Sequence, residues 1–201
     1  VTMRTIYPPL IALFVVMSGC SSKQKVIRFE HDVPELNCGV NTLATTAGGL
    51  EQRCYDENQV ENGPWVVYFP SRERSSEGAY LNGKPNGLWR EWHPNGKRKV
   101  EGSYAEGKRT GAWRWWSSSG DVFQEGAYVD GEEYGQWIRY WETGRKRSEG
   151  EYKAGEEEGR GTLRYTNGVV YEGEFKADKY EGRGTYRYAD GKVAVGFYKA
   201  G

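Results

Sequence analysis

From residue 63 onward, apolar and polar positions alternate in short runs, with no helical period between them. The run LWREWH is followed by PNG, then KRKVEGSY, then AEG, and the pattern returns as AWRWWS, SSG, DVFQEGAY and VDG. Alternation with period two marks half-buried strands, and turn residues about every dozen positions predict successive hairpins. Asn95-Gly96, Asn167-Gly168 and Asp190-Gly191 mark one set of turns, and Asn82-Gly83 and Asp130-Gly131 the other. Such dipeptides favour tight hairpins because both central residues tolerate positive φ. The expected fold is all-β, an elongated single-layer antiparallel meander of successive hairpins. Twelve strands at ~4.8 Å spacing would give a sheet roughly 58 Å long.

The alternation is also a repeat. Gly63, Gly87, Gly111, Gly135 and Gly159 are spaced by 24 residues, and Gly182 follows after 23. A second column runs Gly78, Gly102, Gly126, Gly150, Gly173, Gly196, and a third Gly96, Gly120, Gly144, Gly168, Gly191. Three columns in register define six units over residues 63–201, a quasi-one-dimensional array stabilised by contacts between neighbours. A two-residue turn at Asn95-Gly96 would set Trp89 opposite Gly102 and Arg90 opposite Glu101. The same arithmetic pairs Trp65 with Gly78, Trp113 with Gly126 and Trp137 with Gly150. An indole beside a residue without Cβ can lie flat over the backbone, so the glycines are expected to make room for the tryptophans. On the opposite face Arg114 would meet Glu125, within an acidic column of Glu77, Glu101, Glu125, Glu149 and Glu172.

GRGTLRYTNGVVYEGEFKADKYEGRG, residues 159–184, resembles the MORN repeat, whose pattern is G-x-G, then G-x-x-Y-x-G-x-F, then G-x-G. The earlier units, with G-x-W and a longer period, resemble its long variant found in bacterial proteins. Arg72 stands in for the turn glycine of the first unit, and Ala194, Gly196 and Tyr198 replace the aromatic pattern of the last. Both end units therefore read as caps, with the last strand an exposed edge. The resemblance implies an assembly or interaction module.

The N-terminus reads differently. VTMRTIYPPLIALFVVMSGC has Arg4, an apolar run from Leu10 to Met17, and small residues before Cys20. That is the shape of a secretory signal, too short to span a bilayer stably. MSGC also resembles the lipobox of bacterial lipoproteins. This implies cleavage at residue 19, lipidation of Cys20 by thioether and amide-linked acyl chains including palmitate, and, with Ser21 following, sorting to the outer membrane. Several chains anchor firmly where one binds marginally. Residues 20–38 then form the lipidated N-terminus and tether, and 39–62 a degenerate unit or N-terminal cap. Gly39, Gly48 and Cys54 precede Gly63, Arg72 and Gly78 by 24. In an oxidising compartment Cys38 and Cys54 are candidates for a disulfide.

Composition narrows the chemistry. Twenty-eight basic and 28 acidic residues balance, which gives no footprint for nucleic acid. Abundant glycine together with aromatics points to a β-rich repeat, since disordered chains are poor in aromatics. Only His31 and His93 exist; they read as surface histidines, with no catalytic constellation to join. GRGTLRYTNG lacks the lysine of a phosphate-binding loop. Glu156-Glu157-Glu158 reads as a solvated turn rather than a calcium loop. The expectation is a non-catalytic protein without cofactor or metal. Rings recur on both faces: Trp89, Trp113 and Trp137 on one, Tyr68, Trp92, Trp116 and Tyr140 on the other. Trp89, Trp113, Trp116, Trp137 and Tyr140 form the candidate binding surface, for an envelope protein partner or, alternatively, for peptidoglycan sugars.

Overall fold

In the computed structural model, residues 36–45 and 50–199 are described. They form one antiparallel sheet of fifteen strands. The strands are β1 (Thr42–Thr45), β2 (Glu51–Tyr55), β3 (Glu61–Tyr68), β4 (Arg74–Leu81), β5 (Lys84–Pro85), β6 (Gly87–Trp92), β7 (Arg98–Ala105) and β8 (Lys108–Trp116). They continue with β9 (Val122–Val129), β10 (Glu132–Tyr140), β11 (Lys146–Lys153), β12 (Glu156–Arg164), β13 (Val170–Lys176), β14 (Lys179–Arg187) and β15 (Val193–Tyr198). Each strand pairs with its sequence neighbour, except that the two-residue β5 sits beside β4 before β6 resumes the same edge. The array is thus the expected hairpin meander.

The predicted register is present: Trp65 pairs with Gly78, Trp89 with Gly102, Trp113 with Gly126, and Trp137 with Gly150. The turn that produces it is different. His93 and Lys97 close a three-residue loop, Pro94-Asn95-Gly96, in which the His93 carbonyl accepts from the Gly96 N–H at 2.9 Å and Gly96 takes φ +78. This is a type I turn completed by a left-handed residue. It would shift the pairing by one residue. A bulge at Lys99, between the pairs Trp92–Arg98 and Glu91–Val100, restores it. Ser75, Phe123 and Arg147 are the matching extra residues of the other 24-residue units. The β12–β13 and β14–β15 hairpins have the same loop without a register shift, so the bulge residue is the difference between 24 and 23.

The alternate connections are two-residue turns with both residues at positive φ, as at Asn82-Gly83 and Asp130-Gly131. Glu106-Gly107, Ala154-Gly155 and Ala177-Asp178 adopt the same conformation without an Asn-Gly or Asp-Gly dipeptide. A second irregularity follows each of these turns. At Gly111, φ +64, β8 gains two residues between the pairs Ser103–Thr110 and Glu101–Arg114. That re-aims Trp113 toward the backbone it covers.

Which glycine each indole covers is the main correction to the sequence reading. A Cβ on Gly78 would fall within 3.0 Å of the Trp89 ring, one on Gly102 within 3.0 Å of Trp113, and one on Gly126 within 3.0 Å of Trp137. Each ring therefore leans back over the glycine of the preceding hairpin, not over its partner in its own hairpin. Tyrosines stand edge-on between the indoles. Tyr104 lies 5.4 Å from Trp89 and 5.1 Å from Trp113, and Tyr128 lies 5.0 Å from Trp137. Edge-to-face pairs of this kind contribute about 0.5–1.5 kcal/mol each beyond area burial. Trp113 and Trp137 are 2% and 1% exposed, and with Val100 and Tyr128 they form the core.

The N-terminal hairpin breaks the register. Arg53, not Cys54, pairs with Trp65, so the 24-residue spacing from Cys54 to Gly78 does not carry over into equivalent positions. A one-residue slip sends a side chain to the other face. Cys54 is accordingly buried and disulfide-bonded to Cys38, and the Leu36 N–H donates to buried Gln52 at 2.9 Å. Arg72 keeps the positive φ (71°) of the glycine it replaces.

Gly126→Ala is expected to cost about 2–3 kcal/mol by pressing a methyl into the Trp137 ring. Gly96→Ala, in open space at positive φ, should cost about 1 kcal/mol. Urea unfolding of both variants checks the order, and equal losses would rule out the close-approach explanation.

Candidate functional site

Strand alternation divides the predicted binding residues between two unlike faces. Trp89, Trp113, Trp115 and Trp137 lie on the aromatic face with Tyr104, Tyr128 and Tyr152. Arg109 covers this row, with its guanidinium 4.7 Å from the Trp113 ring centre, and Arg139 stands 5.5 Å from that of Trp137. Cation–π contacts of this kind contribute roughly 0.5–1 kcal/mol each at exposed sites. Of the candidate binding residues on this face, Trp113 and Trp137 are interior, so no sugar can stack on them. Trp116 and Tyr140 are half-buried on the opposite face, where Tyr140 donates to Glu125 at 3.0 Å.

That opposite face is ionic. Arg90 bridges Glu77 and Glu101, both at 3.0 Å, Arg114 meets Glu125 at 2.6 Å, and Glu149 holds Lys146 at 2.6 Å and Arg164 at 3.0 Å. The hydrogen bond from Lys146 holds the Glu149 carboxyl below the usual carboxylate range. These groups are partly exposed, so each pair contributes only about 0.2–1 kcal/mol. Their effect is to fix a row of side chains, one or two per strand, across the sheet.

The second structural surprise lies where the unit type changes. Beyond β11 the tryptophan is replaced by Gly161, which pairs with Gly150, and a separate tyrosine cluster begins. Tyr171, fully buried, lies 5.5 Å from Phe175, 4.3 Å from Tyr180 and 5.0 Å from Tyr186. Between the two clusters the carboxyl of Glu157 fills the place of the missing indole, 2.6 Å from a Cβ on Gly150 and 2.8 Å from one on Gly161. Glu157 is thus a strand residue, 8% exposed, and not part of a solvated turn. The run of three glutamates hid this, because strand alternation turns only the middle one inward. Its Oε1 has no hydrogen-bond partner among the described residues.

Among the described residues, no group of three or more His, Cys, Asp or Glu side chains could hold a metal. His93 joins adjacent loops, its Nε2 lying 2.8 Å from the Trp116 carbonyl oxygen. No helix of the described residues is long and apolar enough to cross a membrane. Cys20 and His31 lie outside the described residues.

Burial pushes the Glu157 carboxyl up to about 7, with Arg139 opposing the shift and Asp178 adding to it. The folded value exceeds the ordinary 4.5, so between these pH values the folded chain binds more protons than the unfolded one. Stability from this group is then greatest below the ordinary value and falls as pH rises through about 7. Glu157→Gln should flatten that slope and stabilise the chain at pH 8 by about 1–3 kcal/mol. Denaturant unfolding at pH 5 and 8 reads this directly, and an unchanged slope in the variant would remove Glu157 as its source.

Comparison with known proteins agrees with the hairpin repeat. No curated protein matches the chain. The MORN repeat family model matches residues 149–170 and 171–193, and the MORN repeat variant model matches residues 85–106. The chain carries MORN repeats, matched by the repeat model and by its variant.

Proposed function

We propose that this protein is a non-catalytic envelope lipoprotein whose repeat sheet is a platform for another protein. MORN repeats commonly serve as protein- or membrane-binding modules and are generally non-catalytic. The observation that carries the reading is the division of the two faces. On the aromatic face Trp113, Tyr128 and Trp137 are buried and Trp89, Tyr104, Trp115 and Tyr152 half-buried against them, while the ionic face keeps Arg90, Arg114, Glu125 and Arg164 fixed by cross-strand pairs but reachable by solvent. Such a row is preorganised, which lowers the ordering cost of association and gives orientation through charge. Lipidation of Cys20 would hold this platform at the membrane, on the periplasmic or outer side of the outer membrane.

A photo-crosslinking residue at Arg114, whose side chain is 54% exposed, tests the platform in cells producing the full chain. Discrete heavier protein bands support it. A smear that collapses with muramidase indicates peptidoglycan contact and refutes a protein partner. Separately, an alkyne palmitate analogue should label the wild-type chain and not Cys20→Ala. Equal labelling of both would discard the anchor.

A further inference from the structure

Successive hairpin loops along one edge of the sheet are tied together at first. Asn95 donates to the Ser118 carbonyl at 2.7 Å and Lys97 to that of Ser119 at 2.5 Å, beside the His93–Trp116 contact. Further along this edge the ties stop. No hydrogen bond joins the loop at 141–145 to the loop at 165–169 among the described residues, and a groove of about 800 Å³ opens between them.

The lining of the groove is unlike the rest of the surface. Arg145, Lys146, Arg147 and Arg164 converge on it, with Glu142 the one carboxylate among the lining residues. Lys146 and Arg164 share Glu149 from outside the lining, whereas Arg145 and Arg147 make no ion pair among the described residues. Arg147 lies over the Trp141 ring at 5.1 Å, and Tyr165, 40% exposed, forms part of the opposite wall. One further atom calls for an acceptor. Nη1 of Arg164 is buried and has no hydrogen-bond partner among the described residues, a costly state for a guanidinium nitrogen.

We propose that this groove binds an acidic peptide segment of a partner protein, with carboxylates on Arg145, Arg147 and Arg164 and an apolar side chain between Trp141 and Tyr165. The proposal rests on the platform reading and names the chemistry of its partner. Arg is suited to planar, bidentate carboxylate recognition, and an aromatic wall beside it anchors an apolar neighbour. Arg145 comes from the residue before β11, Arg147 from the start of that strand and Arg164 from the end of β12, so a single phosphate reaches only part of the set. A flat bilayer surface does not enter a recess between two loops. An extended chain with alternating acidic and apolar side chains sets a carboxylate against the arginines and an apolar group between the rings of the same recess.

The probe is a fluorescein-labelled ten-residue peptide of alternating glutamate and phenylalanine, titrated with the full chain and followed by anisotropy. Saturable binding is expected. The double variant Arg145→Glu/Arg147→Glu should weaken it by at least about tenfold. Both side chains are exposed, so the fold should survive the change. Lys179→Glu, at the start of β14 and outside the groove, should leave the affinity within about twofold. Replacing every glutamate of the peptide by glutamine should abolish binding. Equal affinity of the glutamine peptide, or of the double variant, would overturn the proposal. So would binding of inorganic phosphate or phosphatidylglycerol vesicles without binding of the peptide. Discrete crosslinks from position 114 that persist in the double variant would leave the platform reading standing and remove this groove from it.

Discussion

The structure depends on one steric permission: a backbone without Cβ beneath an aromatic ring. Gly78, Gly102 and Gly126 each lie under the indole of the next hairpin. The ring thus spans the boundary between units instead of sealing its own hairpin. An isolated two-stranded hairpin is marginal in water. What stabilises this sheet is the contact each unit makes with its predecessor, as expected for a linear array. The connection lengths repeated along the chain follow from this need, since any net slip of one residue would turn the tryptophans to the opposite face.

That requirement divides the sheet into two surfaces with different duties. The aromatic side has its rings locked edge to face and covered by Arg109 and Arg139, which leaves little of it for recognition. The other side is held in shape by short arginine–glutamate rungs that stay in contact with water. Surface pairs contribute little to folding, but they reduce the conformational freedom of long side chains before any partner arrives. Where the loop ties lapse, between 141–145 and 165–169, the same cationic chemistry lines a recess instead of a plane.

Much of this was legible in the sequence, sometimes for a reason that proved incomplete. The pairing of Trp89 with Gly102 follows from a two-residue turn at Asn95-Gly96. The molecule reaches that register by a three-residue loop and a compensating bulge at Lys99. Two one-residue departures cancel, so counting alone cannot detect them. The 23-residue period of the later units was their visible trace. The choice of glycine under each indole was not legible, because strand pairing does not specify which way a ring leans. Glu157 was missed for a different reason: in a run of identical residues, composition hides the alternation of a strand. The spacing from Cys54 to Gly78 does not mark equivalent positions, because Arg53 stands beside Trp65 and the register shifts before Tyr55.

The exchange of an indole for a carboxylate at Gly150 and Gly161 has a consequence for how the molecule yields. Backbone pairing continues across β11 and β12, with a register shift between Gly150 and Tyr152, but the aromatic packing does not. On one side lies a tryptophan block, on the other a tyrosine block, and the group between them resists burial in its charged form. In a chain held by nearest neighbours this is a fault line. The sheet thus holds a tryptophan block and a tyrosine block joined by backbone hydrogen bonds, and subglobal opening is expected to start at their seam.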